Sequence, residues 1–189
     1  GSSSRRQAED DDSDGLDERD GGGSASSDDS EAEDEAFFIA CAEGRLEEVE
    51  QMHAAGAGNP KLVDPEEGDT PLGIACRFGH LDVAKFLVAH GAPLLAANKM
   101  GETALHEACL HGGQAIVEWL LTQPGMGDSA AERDRPNAMD MTPLSFASLH
   151  GHTAAVGALV ACGASTDVVD ERGHTLMHLA CSNGHLETA

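Results

Sequence analysis

Ten histidines and five cysteines are the side chains of this 189-residue chain best able to do chemistry. Thiolate and imidazole at short spacing could hold zinc. A cysteine or serine beside a histidine could act as an activated nucleophile. Two such pairs can be drawn, Cys109 with His111 and Ser145 with His150. Neither is supplied with a third residue to orient the base, or with oxyanion donors. No CxxC pair occurs, and an odd cysteine count does not make a complete disulfide framework. Phosphate-cradling and dinucleotide glycine motifs are missing as well. No catalytic residue, metal ligand or cofactor is assigned.

The spacing of these residues has another origin. Cys41, Cys76, Cys109 and Cys181 occupy one position of a recurring pattern, with Ser148 filling it in one copy, and His80, His152 and His185 share a second position. The copies begin GDTPLGIACRFGH at Gly68, GETALHEACLHGG at Gly101, DMTPLSFASLHGH at Asp140 and GHTLMHLACSNGH at Gly173. Thr70, Thr103, Thr142 and Thr175 are 33, 39 and 33 residues apart, and Gly79, Gly112, Gly151 and Gly184 repeat those intervals. One insertion of six accounts for the deviation. Threonine suits a helix N-cap, and Pro71 and Pro143 suit the first helical position, where a missing N–H costs nothing. Apolar residues return at helical spacing (Leu72, Ala75 and Cys76; Leu105, Ala108 and Cys109), and the glycine closes the helix in a left-handed turn. A second apolar run follows (Val83, Phe86, Leu87 and Val88; Ile116, Val117, Leu120 and Leu121), closed by Gly91-Ala92 or Gly163-Ala164. A fifth unit, AFFIACAEGRLEEVEQMHAAGA, precedes these in phase but lacks the T-P-L opening, as a capping unit would.

The roughly 33-residue period with T-P-L, G-H and G-A resembles the ankyrin repeat, over residues 36 to 189. The resemblance implies an all-α solenoid of stacked helix–turn–helix units with hairpin loops, behind a disordered acidic tail over residues 1–35. The units are an N-terminal cap at 36–57, repeats at 66–98, 99–135 and 136–170, and a truncated repeat at 171–189. Each pair hides its apolar face only against its neighbours. The family's T-P-L-H histidine ties adjacent repeats by hydrogen bonds; His106 and His178 match it, Gly73 and Ser145 do not. Asp140 replaces the tip glycine. The insertion PGMGDSAAERDRP reads as a long polar loop, either functional or merely tolerated.

The family also implies where a partner would touch. Its hairpin tips correspond to Glu66, Glu67 and Asp69; Lys99, Met100 and Glu102; Met139 and Met141; and Glu171, Arg172 and His174. Its groove positions, the two residues before each G-H pair, correspond to Arg77 and Phe78, Leu110 and His111, Leu149 and His150, and Ser182 and Asn183. Phe78, Met100, Leu110, Met139, Met141 and Leu149 are apolar at positions the fold leaves exposed. Either they form a contiguous interface or they pack onto neighbouring repeats. The expected function is that of an adaptor, scaffold or targeting module; the alternative is a regulatory or substrate-targeting segment of a larger enzyme or channel. The GSSS opening without Met and the stop at Ala189, near the start of a helix, read as a segment of a longer protein.

Charge bounds the partner. The net charge is -23, and residues 1–36 hold 14 Asp/Glu against three Arg. That segment buries too little apolar surface to offset its ordering entropy. Without a basic stripe, nucleic acid and anionic membranes are not expected partners, whereas a protein with a basic surface is. No signal peptide or apolar run of membrane-spanning length occurs. A monomer in an intracellular compartment, cytoplasmic or nuclear, is expected. Ser26 and Ser30, each with an acid three positions on (Asp29, Glu33), resemble acid-directed kinase sites. If the repeat phase is right, Leu105→Ala or Leu144→Ala should cost roughly 2–5 kcal/mol in a denaturant titration. An unchanged midpoint would take these leucines out of the core.

Overall fold

Four of the five first helices are started by a threonine. Thr70 Oγ1 accepts from the Gly73 N–H at 3.0 Å, and Thr142 Oγ1 from the Ser145 N–H at 3.2 Å, each followed by proline. Thr103 and Thr175 build a reciprocal box: His106 or His178 Nδ1 accepts from the threonine's own backbone N–H, at 3.1 and 3.3 Å. The N-terminal donors of four short helices are satisfied this way.

The structure is a computed structural model that describes residues 27–170, 172–185 and 187–188. The expected disorder of residues 1–26, the kinase-site reading of Ser26 and the placement of Glu171 lie outside the described residues. The helices are α1 Ser27–Ala42, α2 Leu46–Ala55, α3 Pro71–Arg77, α4 Leu81–Ala89, α5 Ala104–His111, α6 Gln114–Leu121, α7 Ala130–Arg133, α8 Pro143–Leu149, α9 Thr153–Ala161 and α10 Leu176–Ser182. Among the described residues there is no strand, only isolated bridges of Ala97 with Thr103 and Val169 with Thr175. Helices α1, α3, α5, α8 and α10 pack side by side as one layer, and α2, α4, α6 and α9 form a second behind it. The core lies between them, with Phe37, Leu72, Leu87, Leu105, Ile116, Leu120, Leu144 and Leu159 buried.

Two boundaries differ from expectation. Helix α1 begins at Ser27, so the tail–array border placed at residue 36 falls inside it, and residues 27–35 are helical rather than part of a disordered tail. The acid-rich sequence hides this helix because it shows no apolar period. The insertion is also more than a polar loop. Met126 is wholly buried, and the buried Arg133 guanidinium donates to the Gly127 carbonyl at 2.9 Å and the Gly163 carbonyl at 2.8 Å. Asp134 Oδ1 accepts from the Ser165 N–H at 3.2 Å, so the insert is fastened to the loop after α9.

The recurring G-H pair explains how units interlock. The His80 Nε2 donates to the Ala42 carbonyl at 2.9 Å, and His152 Nε2 to the Leu110 carbonyl at 3.1 Å. Each ring covers the glycine that ends the preceding first helix. A Cβ on Gly44 would collide with His80, and one on Gly112 with His152; both glycines are left-handed, with φ of 70° and 76°. One copy lacks this contact. Gly113 stands where the histidine would be, and a Cβ on Gly79 would meet nothing within 4 Å. Consistently, α4 and α6 approach each other less closely than α2 and α4 or α6 and α9. Gly113 has φ -69° and ψ 71°, near the -87° and 79° of His80, so the backbone already accepts a side chain. Gly113→His should therefore stabilise the array by about 1–2 kcal/mol, through a restored hydrogen bond and a stiffer unfolded chain. A thermal melt with no gain, or a loss, would show that the seam has another cause.

Candidate functional site

The hairpin tips are fixed by a side chain the repeat reading did not single out. Asn98 Oδ1 accepts from the Met100 and Glu102 N–H groups at 3.0 and 2.9 Å. Asn137 does the same for Met139 and Met141, and Asp170 for Arg172 and His174. Asp64 holds the first tip through the Glu66 and Glu67 N–H groups. An Asn or Asp five residues before each of Thr103, Thr142 and Thr175 was the available signal. The tips are also tied to one another: the Lys99 N–H donates to the Glu67 carbonyl at 2.9 Å, and the Ala138 N–H to the Met100 carbonyl at 2.8 Å. At the last full tip Asp140 takes the glycine's left-handed conformation, with φ 57°.

The expected contact residues divide into three groups. Glu66, Glu67, Lys99, Met100, His111, Met139, His150, Arg172, His174, Ser182 and Asn183 are exposed. Leu110 and Leu149 are half-buried against the core, so they offer only part of their surface. Phe78 is exposed as well, and four others are used by the array itself. Met141 is buried, its side chain in the core rather than at the tip surface. Arg77 is turned inward: its Nε and Nη2 donate to the Glu107 carboxylate at 2.9 and 2.7 Å, and Nη2 also meets Asp69 at 2.8 Å. Asp69 thereby braces the arginine that ties the next repeat, and Asn98 Nδ2 donates to its other oxygen at 3.1 Å. Glu102, expected at a tip, accepts from Asn98 and from Asn137, both at 3.2 Å. The hydrogen bond to Glu107 is the largest cause holding the Arg77 guanidinium protonated.

What the tips and first helices leave open lies at the N-terminal end. Phe38, Ile39 and Ala42 of α1, Ile74 of α3 and Phe78 line a groove of about 660 Å³. Ile39 and Phe78 are 46% and 56% exposed, unusually bare for large apolar side chains. Glu31, Asp34, Glu35, Asp64 and Glu66 border it. Of these residues only Phe78 and Glu66 were expected. The FF-I run of α1 was visible in the cap unit, but none of it was expected as a contact surface. A smaller hollow of about 250 Å³ sits near Met139, Leu149 and Arg172. Of the expected apolar positions, Phe78 lines the first hollow, Met139, Met141 and Leu149 line the second, and Met100 and Leu110 line neither.

The residues that could have done chemistry are not brought together. Cys109 is buried, its thiol pushed up by burial, while His111 is exposed at the end of the same helix. The buried Cys41 thiol is pushed up to about 12 for the same reason. Ser145 Oγ faces Thr142 Oγ1 at 3.1 Å, and His150 is exposed. Among the described residues no three His, Cys, Asp or Glu side chains are placed to hold a metal ion. No described helix is long and apolar enough to cross a membrane.

Paired short helices stacked in two layers, with hydrogen-bonded tips projecting from one edge, define a helical-repeat solenoid. The chain belongs to the ankyrin repeat family: the family model for ankyrin repeats (three copies) matches residues 37–134 and 126–189. It is similar to the transient receptor potential cation channel subfamily A member 1 homolog of Caenorhabditis elegans, 32% identical over 67% of this chain and 10% of that protein. It is also similar to the probable 26S proteasome regulatory subunit p28 of Saccharomyces cerevisiae, 31% identical over 72% of this chain and 58% of that protein. SH3 and multiple ankyrin repeat domains protein 2 of Homo sapiens is 32% identical over 75% of this chain and 7% of its own length. The chain thus spans between 7% and 58% of these relatives. Ankyrin repeats are generally non-catalytic protein–protein interaction modules.

The T-P-L-H histidine His106, expected to tie adjacent repeats, makes its hydrogen bonds to Thr103 of its own unit and couples stability to pH. His106 is buried, its Nδ1 accepting from Thr103 and its Nε2 without a hydrogen-bond partner among the described residues. Burial, opposed by the nearby Met141 backbone, pulls its pKa down from 6.5 to about 4. Folded His106 is neutral where the unfolded chain would take a proton, so its contribution is full above pH 6.5 and lost as pH falls towards 4. His106→Gln keeps a capping side chain at the same position. Between pH 7 and pH 4 the native chain should lose about 3 kcal/mol more than this variant, compared by urea midpoints. Parallel pH curves would mean that the imidazole is not held neutral by the fold.

Proposed function

We propose that this chain is a protein-binding adaptor or targeting module that holds a partner against the face made by its hairpin tips and first helices. It carries no catalytic residues of its own. The observation behind this reading is that Phe78 at the end of α3 and Met100 and Met139 at two tips are exposed, and that hydrogen bonds to Asn98 and Asn137 hold those tips. Rigid, partly apolar surface lowers the ordering cost of association. The surrounding acid favours a partner with a basic surface. A monomer is the working state, because the net charge of -23 opposes self-association. Five free cysteines fit an intracellular, reducing compartment, cytoplasmic or nuclear.

A second reading is a regulatory or substrate-targeting segment of a larger enzyme or channel. The relative named as a cation channel, of which this chain spans only 10%, favours keeping it. The two are separated by expressing the array alone: retention of partners by it supports the adaptor, whereas a change in the activity of a captured enzyme or channel supports the regulatory role.

The binding reading is tested by affinity capture and mass spectrometry with the native array and a Phe78→Ala/Met100→Ala/Met139→Ala variant. These side chains are outside the core, so helicity should be unchanged by circular dichroism. Partners retained by the native array should be depleted roughly tenfold on the variant. Equal retention would place binding elsewhere or remove it altogether.

A further inference from the structure

We propose that the groove between α1, α3 and the first hairpin tip is the principal docking site, and that its occupant is a short basic amphipathic segment of the partner. This rests on the protein-binding reading above and narrows it to one place and one chemistry. The wall that makes the groove is peculiar to this end of the array. Helix α1 has 16 residues, while α3 and α8 have seven and α5 has eight. Its additional turns carry Glu31, Asp34 and Glu35, and its last turns carry Phe38, Ile39 and Ala42. The tip opposite contributes Asp64 and Glu66. An apolar floor therefore lies between two acidic banks.

Those banks are not neutralised from within. Among the described residues none of these five carboxylates takes part in an ion pair. The Lys99 ammonium on this side of the tips is engaged by the Pro65 and Glu66 carbonyls at 2.8 and 2.7 Å. A cleft lined by one sign of charge concentrates ligands of the other. Lysine and arginine suit it further, because their stems can lie along Ile39 and Phe78 while their heads reach the carboxylates. Other occupants fit poorly. A second copy of this chain brings a net charge of -23, the chain's own residues 1–26 are predominantly acidic, and a nucleic acid is repelled outright.

The test is selection of peptides from a random display library on the immobilised array, followed by fluorescence anisotropy with the strongest binder. Selected sequences should combine two or more large apolar residues with flanking Lys or Arg. Ile39→Ala/Phe78→Ala should raise Kd about tenfold or more, for two truncated apolar contacts. Glu31→Lys/Glu35→Lys should weaken binding and flatten its salt dependence. Met139→Ala, in the distant hollow, should leave Kd within about twofold. Selection of acidic or purely apolar peptides would overturn the assigned chemistry. Loss following Met139 instead of Ile39 and Phe78 would overturn the assigned place while leaving the protein-binding reading intact. Recovery of no peptide would overturn the groove as a peptide site, and the capture experiment would then decide the broader reading alone.

Discussion

Side-to-side contact of the first helices is the constraint on which everything else in this molecule depends. Helices of seven or eight residues are below the length at which an isolated helix persists in water. They are held here by caps at their own ends and by neighbours on both sides. The contact position is filled by Cys41, Cys76, Cys109 and Ser148, small side chains that are all buried and let the helices approach. On α10, the last helix of the layer, the equivalent Cys181 is exposed. The chemistry that these thiols could perform in isolation is suppressed by the packing that recruits them, since burial raises the cost of the thiolate.

Polar ties are superimposed on this apolar stack, and they run along the chain in steps of about one repeat. Arg77 bridges Asp69 within its own unit to Glu107 in the next, and Glu102 collects amides from Asn98 and Asn137. A largely buried ion pair recovers its desolvation only with good geometry, and the two-pronged Arg77–Glu107 contact has it. Such ties join successive units. They also remove Arg77, Asp69 and Glu102 from the free surface. Positions that the family pattern assigns to a partner are thus partly used by the array for itself.

This divides what could be read from sequence from what could not. The phase of Thr70, Thr103, Thr142 and Thr175, and of the glycines closing each first helix, specified the helix pairs because caps and left-handed turns are local. Even the left-handed tip at Asp140 was signalled, as the one copy lacking glycine there. Arg77 was misplaced because its partner is 30 residues away, and a pattern read one repeat at a time carries no information on pairs between repeats. Met141 and Met126 were misjudged for a related reason: whether a methionine at a tip or in an insert turns inward depends on space left by neighbouring units. The start of α1 was lost to composition. Acidic residues support a helix N-terminus electrostatically but leave no apolar period to detect.

The same helix gives the array a direction. At the N-terminal end the face between tips and first helices is apolar at its base and edged by carboxylates that no described cation neutralises. Further along, the groove positions are histidines, His111 and His150, with His152 stacked near His150 at 6.1 Å between ring centres. Partial burial first, and then the neighbouring His152, His111 and His185, lower the His150 pKa. On the proposed docking, the length of α1, more than the repeat pattern shared by all the units, sets where along the array a charged partner is drawn.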